Sequence, residues 1–292
     1  MSNCEGCESQ VARLLVTCQD QSGIVQAVSG FLYEQGANII SLDQHTTEAY
    51  GGKYFMRVEF HLNQLNAKKQ SLSEGFERVA QAFAMDWRLS YNDEPKKVGI
   101  LVSKEDHALL ELLWRYSHGA LPCVITKVIS NHLALKEATE RFGIEFVHIP
   151  VPKDEAGKEA AYAQISQEMV GNDLLVLARY MQILSPTFVD EWQGKVINIH
   201  HSFLPAFVGA NPYKQAFEKG VKLIGATAHY VTSELDEGPI IEQGVERVSH
   251  AYSVSDLREL GRDIERDVLA RAVKWHLEDR IIIDGVKTVV FD

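Results

Sequence analysis

From residue 98 onward, short unbroken apolar runs alternate with stretches of helical period. Val98-Gly99-Ile100-Leu101-Val102, residues 123–129, residues 145–148, Leu174-Leu175-Val176-Leu177 and residues 196–200 are the runs. Strands this apolar are buried on both faces, and residues 105–117, 133–142 and 156–170, with a short helix after Pro186, read as the crossovers that bury them. The pattern demands a doubly wound, mostly parallel α/β sheet. Past residue 220 it changes. Strands are expected near 222–231 and 239–246, then a long helix over 254–276 and a hairpin turning at Asp284-Gly285.

The first 91 residues follow another rule. VARLLVTC (11–18) reads as a buried strand, and Asp20-Gln21-Ser22-Gly23 is turn chemistry. Ile24, Val25, Val28, Phe31 and Leu32 repeat at helical spacing, with Gly36 at the C-terminal cap. Strands at 38–42, 54–62 and 87–91 and a helix over 66–84 complete the order βαββαβ. That order predicts a ferredoxin-like antiparallel sheet, in which the alternating 54–62 strand is half-exposed. The expected organisation is a first domain over 8–91, a polar linker over 92–96 and a second domain over 97–292, without repeats.

Charge and composition narrow the function. The net charge of −11 argues against a nucleic-acid partner, whose binding is dominated by Lys and Arg contacts to phosphate. No apolar run approaches the ~20 residues of a membrane span, and MSNCEGCESQ lacks the charged-then-apolar pattern of a secretory signal. Cys4 and Cys7 form a lone CxxC without a second pair at metal spacing, and Cys18 and Cys123 sit in apolar runs. A cytoplasmic protein without metal or other cofactor is the expectation.

One strand ends in chemistry. In NIHHSFLP (198–205), Asn198 and His200 share a face and His201 takes the other. SELDEGP (233–239) places Asp236 in a tight turn, ARYMQIL (178–184) opens a loop at the same sheet edge, and FVGANPY, with Gly209 and Pro212, marks another. An amide N–H can bond a developing oxyanion, an imidazole can move a proton near neutral pH, and a carboxylate can orient either the imidazole or a water. No GxSxG nucleophile accompanies them. The kit suits direct transfer of an acyl group to a bound acceptor or to water. His229, in GATAHYV, either lines the site or packs in the core.

VINIHHSFLPAFVGANPYKQAFEKGVKLIGATAHYVTSELDEGPII closely resembles the formyltransferase family that uses 10-formyltetrahydrofolate, and the resemblance runs from about residue 97 to 280. It implies that Asn198, His200 and Asp236 are catalytic. It further implies that the folate is held, largely through backbone, by Arg179, Met181, Gln182, Ile183 and Leu184 and by Val231 to Asp236, Leu235 included. One departure bears on the acceptor. Members that formylate a ribonucleotide amine carry a Gly- and Ser-rich loop whose N–H groups cradle phosphate. Here Ser103-Lys104-Glu105-Asp106-His107 has no glycine and two carboxylates. With no nucleotide amine to receive the formyl group, water is the implied acceptor and formate and tetrahydrofolate the products, feeding one-carbon and purine metabolism.

Asp20-Gln21-Ser22-Gly23-Ile24-Val25 with Gly36-Ala37-Asn38-Ile39 resembles the ACT domain, a βαββαβ module that pairs with other copies and often binds amino acids. The resemblance implies a homo-oligomer and an effector loop at Asp20, Gly23, Ile24, Val25, Gly36, Asn38 and Ile39. Sensing and scaffolding both fit. Three other functions stay beside the hydrolase: formyl transfer to a sugar amine or a charged tRNA, a folate or amino-acid sensor without turnover, and zinc hydrolysis. HExxH is absent, and the tRNA case predicts an extra basic C-terminal domain, whereas this acidic sequence reads as one hairpin after its long helix.

Overall fold

The computed structural model describes residues 10–49, 51–205 and 212–292; Cys4, Cys7 and Gly209 lie outside them. The chain forms two compact units. The first takes the described residues to Pro95 together with Asp279–Ile282 and Val289–Asp292, and the second takes Lys96–Glu278 and Ile283–Thr288.

The first unit runs β1 (Val11–Gln19), α1 (Ile24–Glu34), β2 (Asn38–Thr46), β3 (Lys53–His61), α2 (Leu65–Phe83) and β4 (Asp86–Tyr91). Its sheet has the order β2-β3-β1-β4, with every pair antiparallel. One face is the core, where Leu14, Val16, Met56, Val58 and Phe60 meet Val28, Leu32, Leu72 and Phe76 of the two helices. Gly75 lets those helices close, since a Cβ there would stand 2.8 Å from the Phe31 ring.

β3 departs from the half-exposed strand its alternation predicts. Arg57 is 2% exposed. Its Nε donates to the Asp279 carbonyl at 3.0 Å and its Nη2 to Glu59 at 2.6 Å. The Asp279 carboxylate accepts from Ser90 at 2.6 Å and faces Arg88 at 3.2 Å. Residues near the C-terminus, expected in the second domain, therefore belong to the first unit and answer the cations on its sheet.

The second unit holds β5 (Lys96–Val102), α3 (His107–Ser117), β6 (Cys123–Ser130), α4 (Lys136–Glu140), β7 (Glu145–His148), α5 (Glu155–Glu168) and β8 (Leu174–Leu177). After these come α6 (Pro186–Glu191), β9 (Val196–His200), α7 (Pro212–Lys219), β10 (Leu223–Tyr230), β11 (Ile240–Arg247) and α8 (Val254–Leu277). β12 (Ile281–Asp284) and β13 (Lys287–Val290) pair as the closing hairpin.

The large sheet has the order β11-β10-β9-β8-β5-β6-β7. β7 through β9 are parallel, and β10 and β11 join antiparallel. β5 and β8 bury nearly every residue, as their unbroken apolar runs require. The chain leaves β5 for β6 and β7 on one side and returns to β8 and β9 on the other. A crevice opens at the carboxyl ends of strands where the order reverses in this way.

Candidate active site

A cavity of about 620 Å³ occupies that crevice. β9 delivers Asn198 and His200 to it from one face, and β10 pairs with β9 so that His229 stands opposite Asn198. The Asn198 amide and His229 Nε2 are 3.2 Å apart. His229 Nδ1 is 2.9 Å from the Tyr230 carbonyl, which can only accept, so Nδ1 carries a proton, and Nε2 is turned towards the Asn198 amide and Asp236. The contact fixes the Asn198 amide in the cavity wall.

Asp236 comes from the loop between β10 and β11. His200 Nδ1 lies 3.2 Å from one of its oxygens, and His229 Nε2 lies 3.7 Å from the other. The loop is folded tightly: Asp236 has φ 59°, which Asp tolerates better than most residues. A Cβ on Gly238 would stand 1.7 Å from the Tyr230 carbonyl oxygen, so only glycine lets the chain recross β10 there. Tyr230 N–H then closes the loop on the Pro239 carbonyl at 2.9 Å. The hydrogen bond from His200 first, and the contact with His229 second, hold the Asp236 carboxyl well below the usual carboxylate range. With Nδ1 of His200 so engaged, its buried Nε2 has no hydrogen-bond partner among the described residues.

The residues expected to hold folate all line the same cavity: Arg179, Met181, Gln182, Ile183, Leu184, Val231 and Leu235. Met181, Ile183 and Leu235 are more than half exposed, an apolar rim that suits a flat ring. The loop after β8 is pinned, since Ser103 Oγ accepts from Met181 N–H at 3.0 Å and Tyr162 hydroxyl donates to the Ile183 carbonyl at 2.8 Å. Of the two carboxylates after β5, Glu105 lines the cavity and pairs with Arg262 at 2.7 Å. Asp106 precedes α3 without capping it.

His201 departs from its expected place. β9 ends at His200, so strand alternation no longer applies, and His201 lines the cavity with its ring 5.2 Å from that of His200. Burial first, and the charge of Arg179 second, push its imidazole down to about 4. The Cys123 thiol is pushed up to about 12 by burial, which leaves it no role as a nucleophile. Among the described residues no group of three His, Cys, Asp or Glu side chains is placed to hold a metal ion, and no helix is long and apolar enough to cross a membrane.

The formyl transferase family model matches residues 96–273 and the ACT domain model residues 12–73. The formyltetrahydrofolate deformylase of Bacillus subtilis is 54% identical over 280 residues, covering 96% of this chain and 93% of its own. The chain belongs to the formyltetrahydrofolate deformylase family. The crystal structure of a deformylase from Pseudomonas syringae is 46% identical, superposes with a TM-score of 0.92, and covers 97% of this chain and 94% of its own. Glycinamide ribonucleotide transformylase 1 from Symbiobacterium toebii is also similar, at 32% identity and a TM-score of 0.63, over 68% of this chain and 95% of its own.

A deformylase chain of this kind carries a second cavity in its ACT unit, of about 610 Å³. Asp20, Gly23, Ile24 and Val25 line it, as do Gln44, His45 and Tyr54, which sequence reasoning missed. Gly36, Asn38 and Ile39 are not among its lining residues. The missed group comes from β2 and β3, whose sequence shows only ordinary strand alternation. In the catalytic unit the sequence likewise gave no sign of Glu265 and Tyr213, which line the larger cavity.

Proposed function

We propose that the protein hydrolyses 10-formyltetrahydrofolate to formate and tetrahydrofolate. The observation that carries the proposal is the grouping of Asn198, His200 and Asp236 in one cavity, with His200 Nε2 left for a ligand. The pterin lies between the backbone of Arg179–Leu184 and that of Val231–Asp236, against the apolar rim. Protonated His200 and the Asn198 amide bond the formyl oxygen and stabilise the charge that develops on it. Asp236 holds the attacking water. A carboxylate so strongly bound by imidazoles is a weak base, so its proton transfer is concerted with the chemistry. As the carbon–oxygen bond forms, the water proton moves to Asp236. As the carbon–N10 bond breaks, His200 or a relayed water protonates N10. The steps use side chains and water alone.

The test is isotopic. In ¹⁸O-labelled water without amine, the formate released should carry one solvent oxygen per turnover, with tetrahydrofolate in equal amount. Unlabelled formate, or none, would remove water as acceptor.

The ACT unit binds an amino acid such as glycine or methionine at the cavity around Asp20–Val25, and pairs with other copies. The protein works in the cytoplasm and supplies formate to purine synthesis. Calorimetry with each amino acid tests the effector, and the absence of heat with both would rule both out.

A further inference from the structure

The cavity has a wall that the proposed chemistry does not use. α8 carries Glu265 into it, 1% exposed. One of its oxygens is 2.8 Å from His107 Nε2 and 3.3 Å from Arg179 Nε, and the other accepts from the Tyr213 hydroxyl at 2.7 Å. Burial pushes this carboxyl up, but the His107 hydrogen bond and the Arg179 charge outweigh it and hold it below its ordinary value. It is an anion in the cavity wall, and a buried anion persists only with partners of this kind.

Those partners come from separate parts of the chain. His107 opens α3 after β5, Arg179 stands in the loop after β8 with φ 62°, and Tyr213 opens α7. Gly261 shows that the arrangement is built. It lies one turn before Glu265 on the same helix, where glycine costs about 1 kcal/mol relative to alanine. A Cβ there would stand 2.0 Å from the Tyr213 hydroxyl. The missing side chain is what admits the phenol to Glu265. The cluster stands close to the reacting centre, since the Tyr213 ring is 6.2 Å from that of His201, which neighbours His200.

Water brings nothing behind its oxygen. An amine acceptor brings the rest of its molecule, which must be seated beside His200. We propose that Glu265 determines the choice of acceptor by drawing Arg179, His107 and Tyr213 together across this part of the cavity, so that it admits water and refuses a larger amine. Glu265 is a positioning residue, and the inference rests on the hydrolase reading above.

The test measures partition. Each protein is given 10-formyltetrahydrofolate and glycinamide as the amine probe, and formate and N-formylglycinamide are quantified. The intact protein should yield formate with only a trace of N-formylglycinamide. Glu265→Gln, which frees Arg179, and Arg179→Ala, which opens the space directly, should each raise the ratio of formylated amine to formate by about tenfold or more. A change in folding alone would lower both products and leave the ratio where it was. An unchanged ratio in variants that still release formate would overturn the inference and leave the hydrolase standing. Loss of both products in both variants, with folate binding retained, would also overturn it, by making the cluster part of turnover. An intact protein that releases no formate would overturn the hydrolase reading and this inference together.

Discussion

Asn198 and His229 face each other across paired strands, so each fixes what the other can do. Asn198→Ala removes the proposed oxyanion donor and is expected to lower formate release by about 100-fold or more. His229→Gln leaves the amide in place but loosens it, for a loss of roughly tenfold. Because the two act as one unit, the double variant should be little worse than Asn198→Ala alone, and steady-state kinetics of the four proteins would show additive losses if they acted separately. His201 makes a separate prediction. Its imidazole titrates near 4 in the fold against an ordinary 6.5, so the unfolded chain takes the proton first. Stability is therefore lost as pH falls from about 6.5 towards 4, by up to ~3 kcal/mol. His201→Gln removes that share, so thermal melting at pH 7 and pH 4.5 should differ less in the variant than in the parent. An identical difference would contradict the assignment.

Elements were legible wherever a period was strong. Unbroken apolar runs marked β5 and β8, and NIH at the end of β9 marked the site, because strand alternation puts Asn198 and His200 on one face. The rule failed one residue later, since β9 stops at His200 and His201 is free to turn back into the cavity. Alternation also misled at β3, where Arg57 reads as solvent-facing until Asp279 comes to meet it from more than two hundred residues away. Glu265 was invisible for a related reason. α8 also carries Arg258, Glu259, Arg262, Asp263, Arg266 and Asp267, and a line of charges does not tell which one the helix buries. The Asp-x-Gly-Pro turn was read for its carboxylate, while the work of Gly238 showed only in three dimensions. Gly238→Ala should drive the loop off the Tyr230 carbonyl and carry Asp236 away from His200. A displacement of about 1 Å at a reacting group costs about 100-fold, so kcat should fall that far while the circular dichroism of the folded protein is kept. Unchanged turnover would mean that Asp236 is placed by something other than this loop.

At the scale of the whole molecule, the division into two units does not follow the order of the chain. The ACT unit is completed by residues 279–282 and 289–292, and the tie is electrostatic: buried Asp279 with Arg88, Ser90 and, through its carbonyl, Arg57. Asp279→Ala leaves Ser90 and the half-exposed Arg88 without their carboxylate, while the Arg57 bond to the main-chain carbonyl remains, and should destabilise the ACT unit by about 1–2 kcal/mol, on the scale of a hydrogen bond to a charged group. Two units need not unfold together, so calorimetry should show a first transition moved to lower temperature. A trace that superposes on the parent would contradict the anchoring role.

In the proposed reaction, one strand end and one turn perform hydrolysis. The most direct measurement is formate release from 10-formyltetrahydrofolate without any amine, by the intact protein, His200→Ala and Asp236→Asn. The intact protein should turn over, and each variant should lose about 100-fold or more, with folate binding retained. Full turnover in either variant, or tight folate binding by an intact protein that releases no formate, would contradict it.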